Sequence, residues 1–398
     1  MPPIDRAQLA GIRGFGRLLV DGSSGVVDVV ECMHRTIQQR PGPFGAPGEA
    51  ATRGLTGQVY RSVRSTMRLV GRGLDASIGS VEGLLPASPS SPRFEAFASV
   101  LNGVYGDHLA RTGNPLAIDM QFRAGIAGSV PGTVRDDGAR RARRKLLVLV
   151  HGLCMSHQHW FSEGRSFGSA LADELGFEPL YLRYNSGLPI AENGRRFAEL
   201  LEARFGIEET PLDELVLLGH SMGGLVARSA CLSASELGHR WIESLTRMVF
   251  LGTPHLGAPL ERAGHGLDFL LELTPYSAPF TRLGRSRSAG IQDLRHGTVA
   301  SMGRRFVPLP SGVDCYTMAA TRATRRSPLH DRLVGDGLVP LHSALGRGRD
   351  AAHTLRFLPD RRWIGHGMGH LELLHRPEVY AQLHAWLSTS RRARASAD

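Results

Sequence analysis

Lysine is almost absent from this 398-residue chain, in which Lys145 is the only one. The chain is nevertheless strongly basic, with a net charge of +10 and a pI near 10.1. Nearly all of the basic charge is therefore arginine. A strongly basic chain suggests a nucleic-acid ligand, but a genome-wide bias towards Arg, Ala and Gly explains this composition more simply. The densest basic cluster, residues 140–145, directly precedes an apolar run, which is typical of a solvated loop. We therefore predict no nucleic-acid partner.

Cysteine is also scarce, and the four residues Cys32, Cys154, Cys231 and Cys315 lie far apart without metal-type spacing. Residues 1–6 do not form the apolar core of a signal peptide. No apolar run approaches the roughly 18 residues that a membrane span needs. These absences predict a cytoplasmic protein of a reducing compartment, without a metal or other cofactor, which is either free or peripheral at a membrane or lipid surface.

With 42% hydrophobic residues, a chain of this length can bury a large core and hold one large domain plus an extension. Residues 1–90 are predicted to form a helical N-terminal extension. Its sharpest feature is an apolar stripe with a spacing of three or four residues: Val59, Val63, Met67, Val70, Leu74, Ile78, Val81 and Leu85. The opposite side carries Arg61, Arg64, Arg68 and Arg72. This helix either packs on the remainder of the chain or contacts a membrane or polyester surface.

Residues 215–226 organise the rest of the sequence. An apolar run breaks at Gly219-His220-Ser221-Met222-Gly223 and resumes with helix-compatible residues, which is the strand, sharp turn and helix of a nucleophile elbow. Gly219 and Gly223 leave room where a Cβ would collide with the strand or the helix. We therefore predict that Ser221 is a catalytic nucleophile. The second Gly-x-Ser-x-Gly match, at Ser166, follows no apolar strand and is interpreted as a chance occurrence.

Short apolar runs alternate with helical patterns through the second part of the chain. The predicted strands are residues 116–122, 145–150, 179–184, 215–218, 247–251, 313–318 and 354–358, with helices at 189–205 and 377–387. Such alternation predicts an α/β fold with a mostly parallel sheet that is covered by helices on both faces.

A serine nucleophile needs a histidine to accept its proton and a carboxylate to orient that histidine. In a fold with this elbow the chain order is Ser, then Asp or Glu, then His. Asp336 follows the predicted strand 313–318 and is our candidate acid, with Asp331 as the alternative. His370 opens the segment that leads to the final helix and is our candidate base, with His366 as the alternative.

The tetrahedral intermediate of acyl transfer requires two backbone N–H donors for its oxyanion. Met222, directly after the nucleophile, is the first candidate for this oxyanion hole, and Leu153, after the strand-ending His151-Gly152, is the second. Three nearby histidines, His151, His157 and His159, have no carboxylate or cysteine at a metal-ligand spacing. We therefore predict a role in the loop for them rather than metal binding.

Taken together, the Gly-His-Ser-Met-Gly-Gly, His-Gly-Leu, Gly-Thr-Pro-His and Gly-Asp-Gly-Leu-Val-Pro motifs resemble those of the α/β-hydrolase superfamily. Within it, residues 91–398 are similar to bacterial triacylglycerol lipases and to GPI inositol-deacylase-like hydrolases. The resemblance implies a lipase or esterase that acts on an ester or lipid substrate, and a lid insertion at residues 256–302. A polyester depolymerase, an amidase, an acyltransferase and a surface-binding protein with a hydrolase scaffold remain alternatives.

Overall fold

The structure is a computed structural model that describes residues 9–23, 27, 54–82, 92–124, 144–206, 212–258, 288–300, 306–324 and 335–389. The chain forms two compact units. The first consists of residues 1–91 together with 111–116, and the second of residues 92–110 together with 117–398. No helix within the described ranges is both long enough and apolar enough to span a membrane.

Within its described residues, the first unit contains helix α1 at residues 9–23 and helix α2 at Gly54–Glu82. Arg17 contacts Asp75 at 2.6 Å, and Val20 packs where Gly71 has no side chain, so the helices run antiparallel. Arg13 lies 2.7 Å from the same carboxylate. Hydrogen bonds, first from Arg17 and then from Arg13, lower the pKa of Asp75 to about 2. The two helices thus approach closely at Gly71, and both arginines of α1 pair with the carboxylate of Asp75.

The apolar stripe of α2 is only partly used in this contact. Met67 and Ile78 are half-buried, whereas Val59, Val63 and Val70 are 59%, 37% and 56% exposed. The helix therefore leaves three residues of its predicted stripe, Val59, Val63 and Val70, exposed. The stripe's last residue, Leu85, lies outside the described residues, and the side chains of Leu74 and Val81 are not described.

The second unit is built on a seven-stranded sheet of order β1-β5-β2-β6-β7-β8-β9. Only β1 is antiparallel to its neighbour. The strands are β1 Gln121–Arg123, β2 Lys145–Val150, β5 Phe177–Arg183, β6 Glu214–His220, β7 Leu245–Leu251, β8 Asp314–Thr321 and β9 Arg362–His366, while β3 Phe161–Ser162 and β4 Arg165–Ser166 form a separate hairpin. The helices are α3 Pro92–Arg111, α4 Phe167–Leu175, α5 Ile190–Leu201, α6 Met222–Leu237, α7 Ala289–His296, α8 Leu341–Ala344 and α9 Pro377–Ser388.

The sheet is buried on both faces, as the run of apolar residues in β2 predicts. Leu146, Val148 and Val150 pack in the core cluster with residues of α3, α5 and α6. Leu147 and Leu149 pack in the opposite cluster with residues of α4 and α9. Each of these side chains is fully buried, and burial of one such side chain contributes roughly 1.5–3 kcal/mol. The α/β fold class is confirmed.

Two strand predictions differ from the structure. The first strand covers Gln121–Arg123 rather than residues 116–122. Residues 354–358 are not a strand, because the last strand of the sheet is Arg362–His366, paired with β8. Leu355 and Phe357 alternate inwards and are buried, which gives residues 354–358 a strand-like pattern, but the N–H of Leu355 donates to the carbonyl of Gly346 in a loop.

Of the predicted insertion at residues 256–302, the structure describes residues 256–258 and 288–300. The second stretch holds helix α7, which Ser288 caps. Most apolar residues of the proposed lid therefore lie outside the described residues, and the lid remains a prediction.

Candidate active site

Ser221 occupies the sharp turn between β6 and α6. Its φ of 53° lies in the left-handed region, which L side chains rarely adopt. Its N–H donates to the carbonyl of Leu251 at 2.8 Å and ties the turn to the end of β7. A Cβ on Gly219 would lie 2.5 Å from the Cα of Gly224, and one on Gly223 would overlap the carbonyl oxygen of Val150. The two glycines therefore meet the steric requirement that the sequence predicts for an elbow.

Asp336 and His370 form a buried pair on loops after β8 and β9. His370 Nδ1 lies 2.7 Å from Asp336 Oδ2, and both side chains are almost fully buried. The other carboxylate oxygen accepts the N–H groups of Leu338 at 2.9 Å and Val339 at 2.8 Å. The N–H of His370 also donates to the carbonyl of Asp336. These bonds fix the carboxylate and direct the Nδ1–H of the imidazole towards it.

The serine and the histidine approach the same end of β7. Ser221 is bonded to Leu251, and a Cβ on the next residue, Gly252, would lie 3.1 Å from both Nδ1 and Cε1 of His370. The Nε2 of His370 is buried and has no hydrogen-bond partner among the described residues. The ring is therefore held through Nδ1, and its second nitrogen is free to act as a base.

The alternative site residues lie elsewhere. His366 is the exposed last residue of β9, and Asp331 lies outside the described residues. Ser166 caps α4: its hydroxyl accepts the N–H of Ser169 at 3.0 Å and contacts the hydroxyl of Tyr181 at 2.5 Å. A structural role thus accounts for the second Gly-x-Ser-x-Gly match.

Both candidate oxyanion donors lie beside the elbow. Met222 is the first residue of α6, where a backbone N–H has no acceptor within the helix. Leu153 follows β2, and no acceptor among the described residues takes its N–H. A Cβ on the preceding Gly152 would lie 3.0 Å from the Cβ of Ser221, so this loop closely approaches the serine. The dipole of α6 adds positive potential at the same place.

The serine of the elbow, the aspartate and the histidine follow one another in this order, each after a different strand of a mainly parallel sheet. The fold is that of an α/β-hydrolase.

Comparisons with known proteins agree on this kind of domain. The family described as PGAP1-like alpha/beta domain matches residues 203–304, which include the elbow. "Putative esterase/lipase 3" of Mycoplasma pneumoniae is 34% identical over 94 residues, which are 23% of this chain and 32% of that protein. The chain thus matches about a third of the length of this curated relative.

Solved structures similar to this chain include the mature lipase BlEst2 of Bacillus licheniformis. It is 16% identical, with a TM-score of 0.42, and the match covers 68% of this chain and 98% of the lipase. A hyperthermophilic esterase from the archaeon Pyrobaculum calidifontis is 15% identical, with a TM-score of 0.40, and the match covers 75% of this chain and 98% of the esterase.

The three histidines after β2 are buried or half-buried in the second unit. His151 stacks on Tyr184, whose hydroxyl donates to the carbonyl of His151 at 2.7 Å. His159 Nδ1 accepts the N–H of Ser156 at 3.1 Å. Burial lowers the pKa of His151 to about 3 and that of His157 to about 4, so both are neutral at pH 7. These contacts give His151 and His159 the loop role that the sequence analysis predicts.

Two residues near the site were not given a role from the sequence. His220 contacts the backbone of His370, and Ser186 contacts the loop that carries Leu153. The first contact joins residues that are 150 positions apart in the sequence, and the second joins residues that are 32 positions apart. The Gly-x-Ser-x-Gly motif includes His220 only at an unspecified position, and no local pattern marks Ser186.

Proposed function

We propose that this α/β-hydrolase is a serine hydrolase that cleaves carboxylic esters with an apolar acyl part through Ser221, Asp336 and His370. The observation that carries the proposal is the 2.7 Å contact between Asp336 and His370, buried beside an elbow serine with left-handed φ. A buried carboxylate that orients a histidine through Nδ1 is the arrangement by which serine hydrolases prepare a base.

In the proposed mechanism, Nε2 of His370 accepts the hydroxyl proton of Ser221 as the oxygen attacks the ester carbonyl. The N–H groups of Leu153 and Met222 stabilise the negative charge on the carbonyl oxygen. His370 then donates the proton to the departing alcohol, which leaves an acyl-serine. Water, deprotonated by the same nitrogen, attacks the acyl-serine; as the bond to Ser221 breaks, His370 returns the proton to the serine oxygen and the carboxylic acid is released. Asp336 stabilises the imidazolium in both steps.

Labelling with a fluorophosphonate tests the nucleophile, because the probe phosphonylates an activated serine. The wild-type chain and Ser166→Ala should be labelled, whereas Ser221→Ala should not. Ser166→Ala is a matched control, since it removes the serine of the second Gly-x-Ser-x-Gly match. Labelling that survives in Ser221→Ala would exclude the proposed nucleophile, and an unlabelled wild-type chain would favour a binding protein with a hydrolase scaffold.

A panel of p-nitrophenyl esters from acetate to long acyl chains tests the substrate class. We expect activity to rise with acyl length, because an apolar acyl part gains by burial. A sharp optimum at acetate would contradict an apolar acyl site. Matched amides, a soluble polyester and an alcohol acceptor in the same assay would separate the amidase, depolymerase and acyltransferase alternatives.

We also propose that the enzyme works in the cytoplasm and contacts a membrane or polyester surface through the segment from Val59 to Leu85. The free, buried Cys154, Cys231 and Cys315 support a reducing compartment. The exposed Val59, Val63 and Val70 support surface contact, since apolar side chains in solvent gain by insertion into lipid.

Sedimentation of the full chain with vesicles or polyester granules tests this contact. Val59→Glu combined with Val63→Glu should reduce the bound fraction at least about tenfold. Leu237→Glu and Leu358→Glu are matched controls, because these leucines are 56% and 51% exposed on the second unit. Equal losses in all variants would contradict a contact through α2.

A further inference from the structure

The loop that carries the candidate oxyanion donor Leu153 is held in an unusual conformation. Cys154, directly after Leu153, has a φ of 59° and is one of three described non-glycine residues with positive φ. An L residue takes up this conformation only where its surroundings enforce it. The N–H of Leu153 belongs to the preceding peptide, and the Leu153–Cys154 peptide begins at the same Cα, so the contacts that hold Cys154 also restrain the residue that carries the proposed donor.

The N–H of Cys154 donates to the hydroxyl oxygen of Ser186 at 3.1 Å. Ser186 is 1% exposed and lies in the loop after β5. A neighbour on each side fixes that loop: the side-chain amide of Asn185 donates to the carbonyl of Gly106, and the N–H of Gly290 donates to the carbonyl of Gly187. The hydroxyl of Ser186 is therefore a fixed acceptor.

Helix α3 closes the other side of the loop. A Cβ on Gly103 would overlap the Sγ of Cys154 and lie 2.9 Å from its backbone N and Cα, so the helix touches the strained residue directly. The carbonyl of Gly103 in turn accepts the hydroxyl of Ser288 at 2.6 Å. Cys154 thus lies between Gly103 of α3 and the hydroxyl of Ser186. The contact with Gly103 is steric, whereas the contact with Ser186 is a hydrogen bond and therefore directional.

We propose that Ser186 is a positioning residue that aims the Leu153 N–H at the oxyanion. This inference rests on the proposed function. Without the Ser186 hydroxyl, the Cys154 N–H loses its acceptor and the left-handed turn at Cys154 loses its directional contact, so Leu153 and its N–H can shift away from the oxyanion. The ground-state ester needs the oxyanion donor little, whereas the transition state needs it fully. Loss of Ser186 therefore acts on kcat rather than on KM.

The test compares Ser186→Ala with Ser99→Ala, which removes a hydroxyl that is also 1% exposed but bonds within α3 to the carbonyl of Glu95. Rates are divided by the active sites counted with a fluorophosphonate. Ser186→Ala should lower kcat about 10- to 100-fold, less than or equal to the loss of a whole oxyanion donor. KM should stay close to the wild-type value, and the affinity for an alkyl boronic acid should fall by a similar factor. Ser186→Cys, which keeps the volume but accepts weakly, should lie between wild type and Ser186→Ala.

Two outcomes would overturn the inference. In the first, Ser186→Ala keeps the kcat and boronic-acid affinity of Ser99→Ala. In the second, Ser186→Ala loses countable active sites and thermal stability while kcat per active site is unchanged, which indicates a purely structural role. Failure of the proposed function is distinguishable from both, since Ser221→Ala would then keep its labelling or the wild-type chain would not be labelled.

Discussion

The Nε2 of His220 lies 3.2 Å from the backbone carbonyl oxygen of His370, and the two rings are 4.7 Å apart. His220 is fully buried, and burial together with the nearby His370 lowers its pKa well below the ordinary value. The ring is therefore neutral. Since the carbonyl can only accept, the single N–H of His220 is on Nε2 and holds the backbone of the candidate base.

Removal of this N–H should slow the chemistry without preventing folding. We expect His220→Phe, which keeps a ring but has no donor, to lower kcat about tenfold, because the Nε2 of His370 is then less well aligned with Ser221. His220→Gln retains a donor and should recover much of the loss. Kinetics on a soluble ester, normalised to titrated active sites, measure the effect. Equal activity of the two variants would show that the donor is unimportant.

The second prediction concerns the acid and the base. Asp336→Asn and His370→Ala should each lower kcat by at least about 10³-fold, because the members of a triad act as a unit. Circular dichroism should show a native fold in both variants. His366→Ala is the matched control, since this histidine is exposed at the end of β9, and it should retain nearly wild-type activity. An inactive His366→Ala beside an active His370→Ala would reverse the assignment.

The third prediction is a loss of stability in acid. Burial holds the pKa of His151 at about 3 and that of His157 at about 4, below the ordinary 6.5. Below pH 6.5 the unfolded chain binds protons that the folded chain does not, so the free energy of unfolding falls as the pH falls. Each histidine lowers the free energy of unfolding by up to about 1.4 kcal/mol for every unit that the pH falls. This loss stops near the pKa that the histidine has in the folded protein.

Urea unfolding at about pH 7.5 and about pH 5 measures this dependence. The difference between the two pH values should shrink in His151→Gln, because the substituted side chain does not titrate. His366→Gln serves as the control, since its side chain is exposed at the end of β9, and it should change the difference less than His151→Gln does. An identical pH dependence in all three proteins would contradict the prediction.

The features predicted correctly are those that depend on local pattern. The apolar run of β2 marks a buried strand because both faces of the sheet are covered, and the elbow glycines mark places where only backbone fits. Cys315 is buried, as its place in the predicted strand 313–318 implies. Asp336 and His370 lie on loops after β8 and β9, where the sheet brings Asp336 Oδ2 and His370 Nδ1 within 2.7 Å of each other.

The features that were missed depend on tertiary contacts. The strand Arg362–His366 has only Trp363 and Ile364 as large apolar residues, and it is defined by its pairing with β8. Residues 354–358 alternate more clearly between apolar and polar residues than this strand does, but they do not pair with a strand of the sheet. The strained Cys154 depends on Gly103 and Ser186, which are 51 and 32 residues away, so no local signal predicts its conformation.

The last prediction tests why the elbow requires glycine. At Gly223 the first turn of α6 passes so close to β2 that a Cβ would overlap the carbonyl oxygen of Val150 and lie 2.6 Å from that of His151. Backbone blocks the space, so no side chain can rotate away. Gly223→Ala should therefore lower the free energy of unfolding by about 3 kcal/mol or more and abolish fluorophosphonate labelling.

The matched control is Gly238→Ala at the other end of α6, where φ is 69° and no heavy atom lies within 4 Å. It should cost only about 1–2 kcal/mol, from the backbone conformation alone, and should leave labelling intact. Equal losses in the two variants, measured by urea unfolding, would show that close packing against β2 is not the constraint.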